Sequence, residues 1–314
     1  MLNDPGGQHL LDTVADADVL QIGLVNIMPP QAMAATAQQF ASLAIHSESV
    51  MIRHFNFSKA VQLADVGGLL AALLEAQCDG LIVTGTAPVA NLMTNEPCWP
   101  LLATLVDWAG QHTISTLWSC FAAHAAVLQL DGINRQPQPV KLSGIYLCEK
   151  ADPHVLTASL PSVWPTPHSR YNSLSEQVLV DNGYTILSRG EKIGVDSFTR
   201  HCSSSCFVFY QGHPEYSADS LASEYRRDVR QFLTGQSETY PEIPQNYFDL
   251  ETMTALQDLA LVAIRQRDPS LLTPVSEVMN TPVNAAWQVP SRSMFREWVC
   301  YIQQEKLRRS VRTA

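Results

Sequence analysis

The chain has 314 residues, 46% of them apolar, and a formal net charge of −10. That is enough apolar material for a large core, and the negative balance gives no general attraction for nucleic acid. An anionic cofactor would need a local cluster of donors. No run of about 18 apolar residues occurs, so no membrane span is expected. Residues 1–17 are polar and acidic, unlike a secretory signal. Seven scattered cysteines, an odd number, point to reduced thiols in the cytoplasm.

Strand and helix signals alternate over the first two-fifths. Leu20-Gln21-Ile22-Gly23-Leu24-Val25-Asn26 reads as a buried strand, and the Ala-rich residues 32–44 suit a helix. Val50-Met51-Ile52-Arg53-His54-Phe55 alternates like a strand, and residues 68–76 follow as a helix. Residues 80–85 form a short apolar strand ended by glycine. Residues 99–109 are helical, 113–118 another strand, and 121–130 an apolar helix. Such alternation implies βαβ units on a parallel sheet, with right-handed crossovers.

Residues 140–212 are richer in β signals, with Tyr146, Tyr184, Val195 and Cys206-Phe207-Val208-Phe209-Tyr210 in or near strands. Residues 218–232 read as a helix, as do 252–265 and 294–308, between which prolines punctuate the chain. The expected architecture is α/β: a doubly wound, mostly parallel sheet with a C-terminal helical extension. We expect an N-terminal arm at 1–18, a catalytic domain at 19–235 and an extension at 236–314 packed on the core.

The sharpest local feature is Trp118-Ser119-Cys120-Phe121-Ala122-Ala123-His124, where a strand ends and a helix begins. A nucleophile on such a turn is held exposed. A helix N-terminus favours a thiolate and offers N–H groups to an oxyanion. The local alternative is a buried structural cysteine. The second feature is Gln211-Gly212-His213-Pro214-Glu215-Tyr216, just after a strand. A cysteine nucleophile needs a base and the base a carboxylate. His213 and Glu215 could point the same way across Pro214, although alone they also read as an ordinary surface loop. His201-Cys202-Ser203-Ser204-Ser205-Cys206 lacks a fourth metal ligand and reads as a turn between two strands, so no metal is expected.

The chain resembles the homoserine O-succinyltransferase/O-acetyltransferase family of methionine biosynthesis, built on a class I glutamine-amidotransferase-like (flavodoxin-like) fold. The matching pieces, in order, are Asn26-Ile27-Met28-Pro29, then Gly80-Leu81-Ile82-Val83-Thr84-Gly85 with Ala87-Pro88-Val89, and Ser115-Thr116-Leu117. They continue with Cys120 and Ala122-Ala123, Lys141-Leu142-Ser143-Gly144-Ile145-Tyr146 and Pro167-His168-Ser169-Arg170-Tyr171. Gly212-His213-Pro214-Glu215-Tyr216 and Glu224-Tyr225-x-Arg227-Asp228 complete the set.

The resemblance implies Cys120 as acyl-accepting nucleophile, His213 as general base and Glu215 as its orienting partner. It implies Lys141, Ser169 and Arg227 as substrate-binding residues, Arg227 for the amino acid's carboxylate. The backbone N–H of Phe121 and one from the 84–88 loop, taken as that of Thr86, would form the oxyanion hole. It also implies ping-pong transfer of an acyl group from succinyl-CoA or acetyl-CoA, a co-substrate, to homoserine. No permanently bound cofactor is expected; a homodimer is.

Several positions depart from the family pattern. Thr86 is an insertion in the loop. Ala90 stands where glutamate goes with acetyl-CoA and glycine with succinyl-CoA, and its small uncharged side chain favours succinyl. Ala35-Thr36-Ala37 replaces Glu-Thr-Glu, His124 replaces glutamine, and Trp287-Gln288-Val289-Pro290 replaces Trp-Arg-Ser-His. About 30 extra residues precede Trp287. These changes leave serine or another hydroxy-amino acid open as acceptor. A glutaminase-type amidotransferase and a non-catalytic homologue are the alternatives of other kinds.

Overall fold

A computed structural model describes residues 19–45, 49–57 and 63–313; the expected N-terminal arm lies outside them. In chain order the elements are β1 (Leu20–Asn26), α1 (Pro30–Leu43), β2 (Val50–Asn56), α2 (Leu63–Glu75), β3 (Gly80–Val83), α3 (Trp99–His112) and β4 (Ser115–Ser119). Then come α4 (Phe121–Asp131), β5 (Gln136–Lys150), β6 (Val163–Ser173), α5 (Glu176–Asp181), β7 (Thr185–Gly190), β8 (Gly194–Cys202) and β9 (Ser205–Tyr210). The last four are α6 (Ser220–Leu233), α7 (Leu250–Gln266), α8 (Leu272–Val278) and α9 (Gln288–Thr313).

Among the described residues nine strands form one open sheet in the order β2-β1-β3-β4-β9-β8-β7-β5-β6. The first five of that order are mutually parallel. From β9 onward each pairing is antiparallel. The parallel strands β3 and β4 are buried along their whole length, as strands covered on both faces must be. On one face α2, α3 and α4 pack through Leu69, Leu73, Leu101, Leu105, Ala122 and Ala126. On the other, Phe40 and Leu43 of α1 meet Met294, Trp298 and Ile302 of α9. The sheet is therefore doubly wound. Trp298 also donates its indole N–H to Ser115 Oγ at 2.9 Å, so α9 is keyed to β4 by a polar contact as well as by area.

Several boundaries differ from the sequence expectation, each for a local reason. Thr113, expected in a strand, caps α3 instead, with its Oγ1 bonded to Ala109 O at 2.8 Å. β5 begins as early as Gln136 despite Pro137 and Pro139, and its register with β6 shifts between Pro137 and Leu142. Proline is tolerated where the ladder is already irregular. α9 starts at Gln288, with Pro290 in its first turn, where a missing N–H costs no helical bond. The expected turn between strands at 201–206 is the β8–β9 hairpin. α7 and α8 occupy the extra segment before Trp287 and pack on α6 through Leu256, Val275 and Phe232. No helix among the described residues is long and apolar enough to cross a membrane.

Candidate active site

The C-terminal ends of β1, β3 and β4 open onto a cleft of about 380 Å³. Open α/β sheets place their sites there, outside the carboxyl ends of the strands. Cys120 follows the last residue of β4 and precedes the first of α4. Its N–H continues the sheet to Tyr210 O at 2.7 Å, while its carbonyl accepts from His124 N at 3.2 Å. Serving strand and helix at once forces φ to 49° and ψ to −105°. For a residue with a Cβ that conformation costs roughly 1–3 kcal/mol; here it aims the thiol into the cleft.

Across the cleft, the chain after β9 carries Gly212, His213 and Glu215. His213 N donates to Pro167 O at 2.8 Å, and His213 Nδ1 meets Glu215 Oε1 at 2.8 Å. Tyr216 stacks on the imidazole, with ring centroids 4.2 Å apart. Burial opposes the imidazolium, but the charges of Cys120 and Glu215, with hydrogen bonds to both, outweigh it and hold the His213 pKa well above its ordinary value. Glu215 is itself buried and takes a second, longer contact from Ser119 Oγ at 3.5 Å. The structure thus brings Cys120, His213 and Glu215 together at one cleft, with the imidazole bonded to the carboxylate.

A second buried pair supports the His213 loop from below. His168 Nε2 and Asp196 Oδ1 lie 3.1 Å apart with neither side chain exposed. Arg170 Nε donates to His168 Nδ1 at 3.2 Å, which leaves the ring proton on Nε2, facing Asp196. The approach is too bent for a linear hydrogen bond and acts as an electrostatic contact. Burial lowers the His168 pKa to about 4, against the pull of Asp196, so the ring is neutral near pH 7. Gly212 runs directly over this pair: a Cβ there would fall 2.7 Å from Asp196 Oδ1 and 2.9 Å from His168 Nε2. Cys148, His168 and Asp196 also bring metal-ligating atoms within 4.8 Å of one another. All three are closed off from the surface, burial pushes the Cys148 thiol pKa far up, and we assign no ion to them.

Phe121 opens α4, so its N–H has no helical acceptor. Gly85 covers it. A Cβ on Gly85 would stand 3.0 Å from Phe121 N and 3.2 Å from Ser119 O, so only glycine leaves that N–H approachable. Thr86 follows on the cleft wall, its Oγ1 buried without a partner among the described residues. Ala90 is not among the residues that line the cleft. Its N–H, with that of Val89, is held by Glu96 Oε1 at 2.8 and 2.9 Å. His124, also at the cleft, bonds Gln211 Oε1 at 2.9 Å. Burial lowers its pKa to about 3, so it has no use as a base near neutrality.

The other wall is charged. Lys141 Nζ lies 2.8 Å from Asp228 Oδ2 and 3.3 Å from Glu224 Oε2. Ser169 Oγ and Tyr216 Oη bond the two oxygens of Glu224. Arg227 pairs with Asp228 at 2.7 Å and stays half exposed. Burial would neutralise Lys141 and Glu224, but each is kept charged by the other and by neighbours: Lys141 is raised and Glu224 lowered. Lys141, Ser169 and Arg227 therefore meet on one wall, with Glu224 as a hub that sequence reasoning quoted without a role. Arg135 and Arg170 line the cleft too and were missed. Arg170 stood inside the quoted block 167–171, whereas nothing near Arg135 marked it.

The last segment also reaches the site. Trp287 Nε1 donates to Tyr216 O at 2.9 Å. Gln245 exchanges backbone bonds with Ser143 O at 2.9 Å and Ile145 N at 2.8 Å, just beyond Lys141.

Comparison with known proteins gives consistent matches. The family described as homoserine O-succinyltransferase matches residues 12–308. A homoserine O-succinyltransferase of Methylorubrum extorquens is 43% identical over 291 residues, covering 90% of this chain and 87% of the relative. Relatives of the same name from Bradyrhizobium japonicum and Rhodopseudomonas palustris are 41% and 39% identical. They cover 90% and 94% of the chain, and 90% and 91% of their own length. A glutamine amidotransferase of Thermotoga maritima superposes with a TM-score of 0.52 at 12% identity, over 90% of this chain and 98% of that one. This last likeness concerns the fold alone.

Proposed function

The chain belongs to the homoserine O-succinyltransferase family, and from that premise we propose that it carries a succinyl group from succinyl-CoA to the hydroxyl of L-homoserine through a thioester on Cys120. The observation that carries this reading is the imidazole of His213, hydrogen-bonded to Glu215 through Nδ1 and lining the same cleft as Cys120, whose charge helps to raise its pKa.

His213 takes the thiol proton, and Cys120 Sγ attacks the carbonyl of the acyl-CoA thioester. The oxyanion sits against the N–H groups of Phe121 and of the 84–88 loop, where we place that of Thr86. The carbon–sulfur bond to coenzyme A breaks, and its thiolate leaves with the proton held on His213. In the second half the homoserine hydroxyl gives its proton to His213 and attacks the enzyme thioester. Cys120 departs as thiolate. Exchange between two thioesters is nearly isoenergetic, and the oxygen ester that ends the sequence is more stable, so the second half draws the first forward.

Lys141, Ser169 and Arg227 would hold the acceptor. Arg227 keeps about half of its side chain exposed, so that a carboxylate can approach its guanidinium. Residues 236–314 act as an extension of the catalytic domain 19–235, supported by the contacts of Trp287, Gln245 and Trp298 with it. By likeness to the family we read the protein as a cytoplasmic homodimer acting in methionine biosynthesis, with the acyl-CoA as co-substrate and no resident cofactor. Sedimentation of the purified chain tests the dimer.

Intact-protein mass spectrometry after mixing with succinyl-CoA tests the chemistry. We expect one added succinyl group, absent in Cys120→Ala and discharged by homoserine. An adduct that only serine or another hydroxy-amino acid discharges would move the acceptor. No adduct with any acyl-CoA would remove the acyltransferase reading, and ammonia release from glutamine would replace it with a glutaminase.

A further inference from the structure

Four cations besides His213 line the cleft: Arg135, Lys141, Arg170 and Arg227. Three already have partners. Lys141 and Arg227 pair with Glu224 and Asp228, Arg227 with about half of its side chain still exposed. Arg170 spends its guanidinium on Ile193 O at 2.7 Å, Asn172 O at 2.8 Å, Ser173 and His168. Arg135 is different. Among the described residues it makes no hydrogen bond and no ion pair, and its guanidinium carbon lies 5.4 Å from the centroid of the Phe121 ring. Half-buried, it has lost part of its water without gaining an anion. Such a group is unfavourable as it stands and becomes favourable when a carboxylate arrives.

We propose that Arg135 reads the distal carboxylate of the succinyl donor and thereby contributes to donor choice. The proposal rests on the acyltransferase reading of the same site. The thioester carbonyl would lie against Cys120 with its oxygen at Phe121 N–H, and the succinyl carboxylate is two methylenes further on. Arg135 lines the same cleft, over the ring of the residue whose N–H would bind the oxyanion, and would meet that carboxylate if the acyl chain runs past α4's first turn.

The guanidinium fork matches a carboxylate with two parallel hydrogen bonds. The phosphates of coenzyme A are separated from the thioester by the whole pantetheine arm and fall outside this neighbourhood. Glu96 is the carboxylate whose charge bears most on Arg135, but it lies beyond ion-pair distance, and its Oε1 is occupied by Val89 and Ala90. Cys120 is close enough for its charge to act on Arg135 as well. An acetyl donor has nothing to offer Arg135, so the residue discriminates by what succinyl gains.

The test is the rate of Cys120 labelling by succinyl-CoA and by acetyl-CoA, followed by intact mass in wild type, Arg135→Gln and Arg135→Lys, with melting temperatures to verify folding. We expect Arg135→Gln to slow succinyl labelling on the order of tenfold to a hundredfold and to leave acetyl labelling within about twofold of wild type. Arg135→Lys should recover part of the preference, since it keeps the charge and loses the fork. If wild type is labelled but Arg135→Gln slows both donors equally, or neither, the proposal is overturned and the acyltransferase reading stands. If wild type is labelled by neither donor, the reading itself falls, and the proposal with it.

Discussion

Cys120 and Lys141 face the same cleft, but backbone holds one there and charge holds the other. The Cys120 wall is made of a strand end, a helix start and a close-packed glycine: Ser119, Phe121 and Gly85. Its geometry follows from β4 handing over to α4 within one residue, and the cost appears as a positive φ. The Lys141 wall is made of long side chains from β5, β6 and α6 that are fixed by Glu224 and Asp228. In the proposed reaction the first wall would meet the charge that develops, and the second would exchange an internal partner for a substrate group. Each wall should fail in its own way when perturbed.

The largest effect should come from Cys120→Gly. It should abolish labelling, a loss on the order of 10⁴-fold or more in turnover, while raising stability by about 1 kcal/mol as glycine relaxes the turn. A lower melting temperature would show that the turn is not strained and would blur the contrast between the walls. Next, Glu215→Gln should cut turnover on the order of a thousandfold. It also removes one of the charges that keep His213 protonated. A raised pKa stabilises the imidazolium side, an advantage that is complete below the ordinary value and lost as pH rises through the folded one. In the variant, measured by the pH dependence of Cys120 alkylation, that loss should begin at lower pH than in wild type.

Gly85→Ala should follow, lowering kcat on the order of a hundredfold with little change in acceptor KM, because its Cβ would crowd Phe121 N. Unchanged steady-state kinetics would place the oxyanion elsewhere. The smallest effect belongs to the charged wall. Glu224→Gln should raise the acceptor KM about tenfold and cost roughly 1–2 kcal/mol of stability, because Lys141 keeps only Asp228. Glu224 is depressed in the folded protein, so its contribution is present above the unfolded value and lost as pH falls through the folded one. The gap between wild type and variant in urea midpoint should hold above about pH 5 and shrink as pH falls below the ordinary glutamate value. A gap that persists in acid would deny Glu224 its role as hub.

Much of the first wall was legible in the chain, because its causes are local. A strand signal running into an apolar helix with a cysteine between them states the elbow. His213 and Glu215, two residues apart, state the dyad. Beyond them the signal thins. Glu224 and Lys141 are 83 residues apart, and Trp298 finds Ser115 across 183. No periodicity encodes such pairings; they exist because β5, α6 and α9 are brought together by burial of apolar faces. Ala90, a position marked by sequence, is not among the residues that line the cleft, and its N–H is bonded to Glu96. Arg135 was silent in sequence for the same reason that makes it informative in space: an isolated arginine after a turn has no meaning until the fold shows what it lacks. By itself, then, the sequence determined the layered α/β order, the thiol at the β4–α4 elbow and its His–Glu pair, all products of short-range backbone geometry. Only the tertiary structure decided which charges neutralise one another and which cation at the cleft is left without an anion, because electrostatic pairing depends on distance in space and on exclusion of water, and neither is a property of the chain in order.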